Sequence, residues 1–148
     1  MGDRHDSAHH GPLSPHRAHT RTVPPGPPCP GSPPPRRLVS VPADVEAGTG
    51  RLEARLAHGK VVADLDLTVC HACRLGVIEH VRTDPPHRRR GHGRALVNAA
   101  LRHGDGYTWT TTAVDTDAAA AFWHAVAPDL PHQPTYCTHM RRAAALEP

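Results

Sequence analysis

The chain has 148 residues, 17 of them Pro and 12 Gly, and its 17 Lys plus Arg stand against 14 Asp plus Glu, which fits one domain and a net charge of +3. Residues 1–36 carry two of those three charges through Arg4, Arg17, Arg21 and Arg36 against Asp3 and Asp6, so the remainder is nearly neutral and a protein that coats nucleic acid is disfavoured. No run approaches the ~20 apolar residues of a membrane span, no apolar secretory segment is present, and the segment after Arg36-Arg37 contains Pro42, Asp44 and Glu46, which argues against twin-arginine export; a cytoplasmic location is expected.

Residues 1–36 hold ten of the prolines and only six apolar residues, too few to offset the entropy of ordering. They are expected to form a disordered Pro/His-rich leader ahead of a domain at 37–148. Leu38 to Val41 is a candidate first strand. Leu52, Ala54 and Leu56 alternate with Glu53, Arg55 and Ala57, and Val61 to Val69 alternates in the same way across His58-Gly59-Lys60, which predicts a hairpin. A third run, Leu75 to Thr83, ends at Asp84-Pro85-Pro86. The period then changes, and Leu96, Val97, Ala100 and Leu101 share one helical face that stops at Gly104. Tyr107 to Val114 reads as a strand in parallel pairing through that crossover helix, Asp117 as the cap of a second helix at Ala118 to Val126, and Tyr136 to Arg141 as a last short strand. The fold class is α+β or mixed α/β: an antiparallel meander, a strand-helix-strand parallel crossover and a second helix.

Arg88 to Arg94 reads RRRGHGR between a strand and a helix. The unpaired amides and positive dipole end of a helix's first turn attract phosphate, glycine lets the backbone come close, and Arg88, Arg90 and Arg94 can add charge-assisted bonds. A solvated basic turn is the plainer alternative. The sequence lacks the Gly-Lys-Ser/Thr ending of a P-loop and the third glycine of a dinucleotide fingerprint.

Ile78 to Gly93, IEHVRTDPPHRRRGHG, resembles the fourth strand and following loop of the GNAT superfamily of acyl-CoA N-acyltransferases, with Arg88, Gly91 and Gly93 matching its Arg/Gln-x-x-Gly-x-Gly/Ala pattern. The order of elements over about residues 38–142 is similar too. The resemblance implies that acetyl-CoA is the cosubstrate and an amine the acceptor. Main-chain amides across Arg89, Arg90, Gly91, His92, Gly93 and Arg94, with Arg88 beside them, would hold the pyrophosphate, and Val81, Arg82 and Thr83 would pair with the pantetheine arm. Glu79 would be the base that accepts the amine's proton, the alternative being a solvent-facing residue or a partner of Arg82 or Arg55.

Two features depart from the family's pattern. Trp123 stands where many members carry a tyrosine that protonates the departing thiolate, leaving Tyr136, His124, water or unassisted departure. Only Pro42 to Gly50 separates the first strand from the hairpin, where members usually have two helices walling the acceptor site. An N-acetyltransferase and a non-catalytic acyl-CoA-binding or sensor module therefore both stay open, as does a homodimer.

The four cysteines, Cys29, Cys70, Cys73 and Cys137, are too few for a disulfide framework and are expected as free thiols. Cys70-His71-Ala72-Cys73 has zinc-like spacing, and Cys137 with His139 would complete four ligands. The separation of more than sixty residues and the lack of a second CxxC favour a plain turn, so no metal is expected. Thr110-Thr111-Thr112 reads as strand filler, and Phe122 and Trp123 as core anchors.

Overall fold

A computed structural model describes residues 36–147; the expected leader lies outside the described residues apart from Arg36, which already belongs to the first strand. Five strands form one sheet in sequence order: β1 (Arg36–Val41), β2 (Thr49–Leu56), β3 (Val61–Cys70), β4 (Leu75–Thr83) and β5 (Thr108–Thr111). The first four pair antiparallel and β4 pairs parallel with β5, which is the mixed α/β arrangement expected from the meander and the crossover. The β2–β3 turn closes through Leu56 N–H donating to Lys60 O at 2.9 Å, with Gly59 at φ 90° supplying the left-handed residue.

Helix α1 (His92–His103) crosses from β4 to β5, and α2 (Asp117–Val126) follows. Alternation on β3 and the helical period on α1 bring Ala63, Leu65 and Leu67 against Leu96, Val97 and Ala100, and Trp123 of α2 closes the same core. Each fully buried Leu or Ile there stabilises the fold by about 1.5–3 kcal/mol. Trp109 fills the end of that core so tightly that a methyl group on Gly76 would meet its ring. Its indole N–H donates to Gly104 O at 3.3 Å.

Neighbours on a strand face opposite ways, and Val77, next to Ile78 of the main core, joins a second cluster with Ala47, Cys70 and Met140. Met140 belongs to α3 (Thr138–Ala144), a helix where a last short strand over Tyr136 to Arg141 is expected from the sequence. The helix forms because Met140 and Ala143, three residues apart, bury one face among good helix formers. Two smaller corrections are local. Thr116, extended at φ −135°, caps α2 by accepting from Ala119 N–H at 3.2 Å, and Asp117 is the first helical residue. β5 spans only four residues, not Tyr107 to Val114. Among the described residues no helix is long and apolar enough to cross a membrane.

Candidate active site

The short β5 opens the sheet. Its ladder with β4 runs from Leu75↔Thr108 to Ile78↔Thr111, while β4 stays paired with β3 as far as Thr83. Past Ile78 the two parallel strands part, and among the described residues Glu79 to Thr83 have no strand on that side. The threonine run holds the fork: Thr111 Oγ1 donates to Ile78 O and Thr112 Oγ1 to Glu79 O, both at 2.9 Å, and Thr110 Oγ1 accepts from Thr135 N–H at 3.2 Å. These hydroxyls are structural clamps, a role beyond the strand filler expected of them.

Glu79 sits at the fork for a second reason. The β3–β4 register passes from Leu67↔Ile78 to Asp66↔His80, so Glu79 is an extra residue with no opposite number. Such a bulge bends its strand and re-aims side chains. Glu79 and His80 consequently both line a cavity of about 430 Å³ that is also bounded by Thr49, Asp66, Thr68, Tyr136, Met140 and Arg141. Glu79 Oε1 accepts from Thr68 Oγ1 at 2.9 Å and Oε2 accepts from the Tyr136 hydroxyl at 2.8 Å. Burial, and then the bond and charge of the Glu79 carboxylate, push the Tyr136 phenol up to about 12. The alternative partners fall away. Arg82 pairs with Asp64 and Asp66 across β3, and Arg55 pairs with Glu53. Burial acts to raise the Asp66 pKa, but bonds from Arg51 and Arg82 outweigh it and hold the carboxyl below its usual range.

The arginine-rich turn follows β4. A 3₁₀ turn at Pro85–His87 leads to Arg88, whose Nε donates to Thr83 O at 3.3 Å. Arg89 and Gly91 both take positive φ, 57° and 77°, and Gly91 is the N-cap of α1. The helix therefore begins inside the basic run, and the amides of His92, Gly93 and Arg94 form its unpaired first turn. No side chain caps them and no acidic residue lies in that turn. Among the described residues no carboxylate pairs with Arg88, Arg89, Arg90 or Arg94, all exposed.

Three of the expected contacts need refining. A methyl on Gly93 would lie 3.0 Å from the Phe122 ring and 3.6 Å from Val81 Cγ1, so this glycine lets α1 pack closely on α2 and β4. The His92 ring is buried with both nitrogens unpartnered, which leaves only its amide to face an anion. Burial first, then the charges of Arg36, His87 and Arg90, lower its pKa and favour the neutral ring. The Arg82 side chain is committed to β3, so only its main chain borders the fork. Val81 and Thr83 are half-buried along the open strand edge. Val81 beside Gly93 joins that edge to the first turn of α1.

Trp123 is buried in the core against Phe122 and His132, with ring centroids 5.2 and 6.1 Å away. Tyr136, reaching Glu79 from 57 residues down the chain, is the phenol at the fork. The Glu79–Thr68 and Glu79–Tyr136 pairs and the bulge carried no local signal in the sequence.

The sequence matches the family model described as "Acetyltransferase (GNAT) family" over residues 47–126, more than half of the chain. The chain belongs to the GNAT acetyltransferase family. No curated protein matches it significantly. Among solved structures, it is similar to an aminoglycoside acetyltransferase, meta-AAC0020, from an uncultured soil metagenomic sample, in complex with sisomicin, at 22% identity and TM-score 0.50 over 60% of this chain and 63% of that one. It is also similar to YhhK from E. coli bound to coenzyme A, at 23% identity and TM-score 0.48 over 57% and 66% of the two chains. A Trypanosoma brucei acetyltransferase aligns at 19% identity and TM-score 0.48 over 62% and 69%. The chain spans about half to two thirds of the length of the structures it matches. These likenesses concern the fold.

Proposed function

We propose that residues 37–148 form an acetyl-CoA-dependent N-acetyltransferase acting on an amine. The observation that supports this reading most is the fork: an open β4 edge leads directly from the bulged Glu79 to an uncapped helix N-terminus ringed by arginines. The main-chain groups of Val81, Arg82 and Thr83 bond the extended arm of acetyl-CoA, and the amides of Arg89 to Arg94, with the Arg88 guanidinium, receive its pyrophosphate. The thioester carbonyl then lies near Glu79. The acceptor nitrogen attacks that carbon, the new C–N bond replaces C–S, and the coenzyme leaves as thiolate. Glu79 takes the amine's proton directly or through water. Thr68 and Tyr136 hold the carboxylate in place, and the Tyr136 phenol, protonated through the neutral range, is available to the departing sulfur.

Calorimetry with acetyl-CoA, coupled to thiol release across a panel of amines, tests the proposal. Binding in the micromolar range, ~−8 kcal/mol, is expected. Glu79→Gln should lower turnover by ~10²-fold or more near neutral pH with little change in acetyl-CoA affinity, and the deficit should shrink at high pH where the amine is already neutral. Unchanged turnover would remove Glu79 as base. Firm binding without turnover on any amine would favour an acyl-CoA-binding module, and no binding at millimolar acetyl-CoA would overturn both readings.

A further inference from the structure

At the other end of β4 the fold assembles a second constellation. Cys70 ends β3 and Cys73 lies in the turn to β4, while Cys137 and His139 flank the start of α3. Their three sulfurs and one ring nitrogen all lie within 4.8 Å of one another. His139 Nδ1 is 3.6 Å from Cys70 Sγ, 3.4 Å from Cys73 Sγ and 4.0 Å from Cys137 Sγ.

Those distances have a geometric meaning. Zinc–sulfur bonds of ~2.3 Å and zinc–nitrogen bonds of ~2.05 Å at tetrahedral angles place sulfur ~3.6 Å from nitrogen and sulfurs ~3.8 Å from each other. The nitrogen-to-sulfur edges already have that size. The more than sixty residues between the two pairs are no obstacle, because the β3–β4 turn and the start of α3 meet in space.

We propose that Cys70, Cys73, Cys137 and His139 form a structural zinc site that fastens the C-terminal helix to the β3–β4 turn. Three thiolates and one imidazole suit zinc, and four protein ligands leave no open position for substrate or water, as in sites that hold structure. The local chain supports the arrangement. Arg74, directly after Cys73, adopts φ 50° to close the turn, a conformation a non-glycine residue enters only at a cost. His71, the imidazole within the turn itself, is drawn away by the Tyr107 hydroxyl at 2.8 Å, so the set has one histidine, His139.

The fold also has a use for such a fastening. α3 has seven residues and buries only Met140 and Ala143, a small apolar anchor. Yet the segment it begins in carries Tyr136, whose hydroxyl reaches Glu79, and Arg141, whose Nη1 bonds Tyr136 O at 2.6 Å. Zinc at Cys137 and His139 fixes this wall of the cavity from the adjoining residue.

The full chain, reduced with a phosphine and freed of metal, should be titrated with Co²⁺ as a spectroscopic stand-in and then with Zn²⁺. One Co²⁺ per chain, with the sulfur-to-metal charge-transfer and intense visible bands of a tetrahedral thiolate site and displacement by Zn²⁺, is expected. Histidines elsewhere cannot produce the charge-transfer band. Cys73→Ser, at an exposed position that leaves the core intact, should weaken binding more than ~100-fold, because removing a ligand costs more than the 10–100-fold loss for outer-shell changes. His139→Cys should keep the stoichiometry and strengthen the charge-transfer band, and His71→Ala should change nothing. Zinc should also slow tryptic cleavage after Arg141 and Arg142 in the wild type. Absence of the charge-transfer band, wild-type titration of Cys73→Ser, or loss of binding in His71→Ala would overturn the site, and cleavage indifferent to zinc would overturn its fastening role.

Discussion

The two ends of β4 are built in opposite ways. Past its C-terminal end, Arg88–Arg94 is a continuous stretch of chain that, in the proposed function, offers main-chain amides to the pyrophosphate. Before its N-terminal end, Cys70, Cys73, Cys137 and His139 are separate side chains brought together by the fold. A site of amides tolerates side-chain exchange as long as the backbone keeps its path. A site of side chains fails with any one of them. Between the two lies Glu79, whose bulge is a backbone feature and whose hydrogen bonds are side-chain features.

The largest effect that tests this contrast is expected at the glycine where backbone and packing needs coincide. Gly93→Glu would drive a side chain into the Phe122 ring and put a carboxylate beside the arginine-rich turn, so it should abolish acetyl-CoA binding and also lower stability by about 1–3 kcal/mol or more, read as a drop in melting temperature. Loss of binding with an unchanged melting temperature would mean that Gly93 serves the anion and not the α1–α2 contact.

Smaller effects are expected from the arginines. Arg88→Ala, Arg89→Ala, Arg90→Ala and Arg94→Ala remove exposed charges and leave the amides, so each should weaken acetyl-CoA binding by less than about tenfold, a loss that added salt diminishes. A single arginine whose removal abolished binding would place the turn in the side-chain class with the cysteine cluster.

The mildest test is pH. Burial lowers the His92 pKa from its ordinary 6.5, so well above that value the ring is neutral in both folded and unfolded chains and has no effect on the pH slope of stability. As the pH falls through 6.5 the unfolded chain takes up a proton that the folded chain resists, and stability declines. His92→Phe should flatten that part of the profile in denaturant titrations, and an unaltered slope would assign the acid sensitivity to another group.

Local physics accounts for what could be read directly. The period-two runs of β2 and β3 and the helical spacing of Leu96, Val97, Ala100 and Leu101 depend on neighbours a few residues apart, and each lies where its pattern indicated. The RRRGHGR turn was legible for the same reason, since a strand, a glycine-bearing run and a helix follow in order. The Tyr136 to Arg141 segment is a helix and not the expected strand because burial of Met140 and Ala143 on the far face of the sheet outweighs the local preference of Tyr136 and Thr138 for a strand.

The sequence by itself therefore determined the meander, the crossover and the place of the arginine-rich turn between strand and helix, because hydrophobic period, turn residues and helix starts are encoded within a few bonds. Only the tertiary structure decided where Glu79 points, because a register shift opposite Asp66 and Leu67 belongs to two strands at once. The same holds for the exchange of Trp123 for Tyr136 as the aromatic beside the fork and for the meeting of Cys70 and Cys73 with Cys137 and His139. Each depends on contacts between residues far apart in the chain, and these acquire definite distances only when the core and the sheet have closed around them.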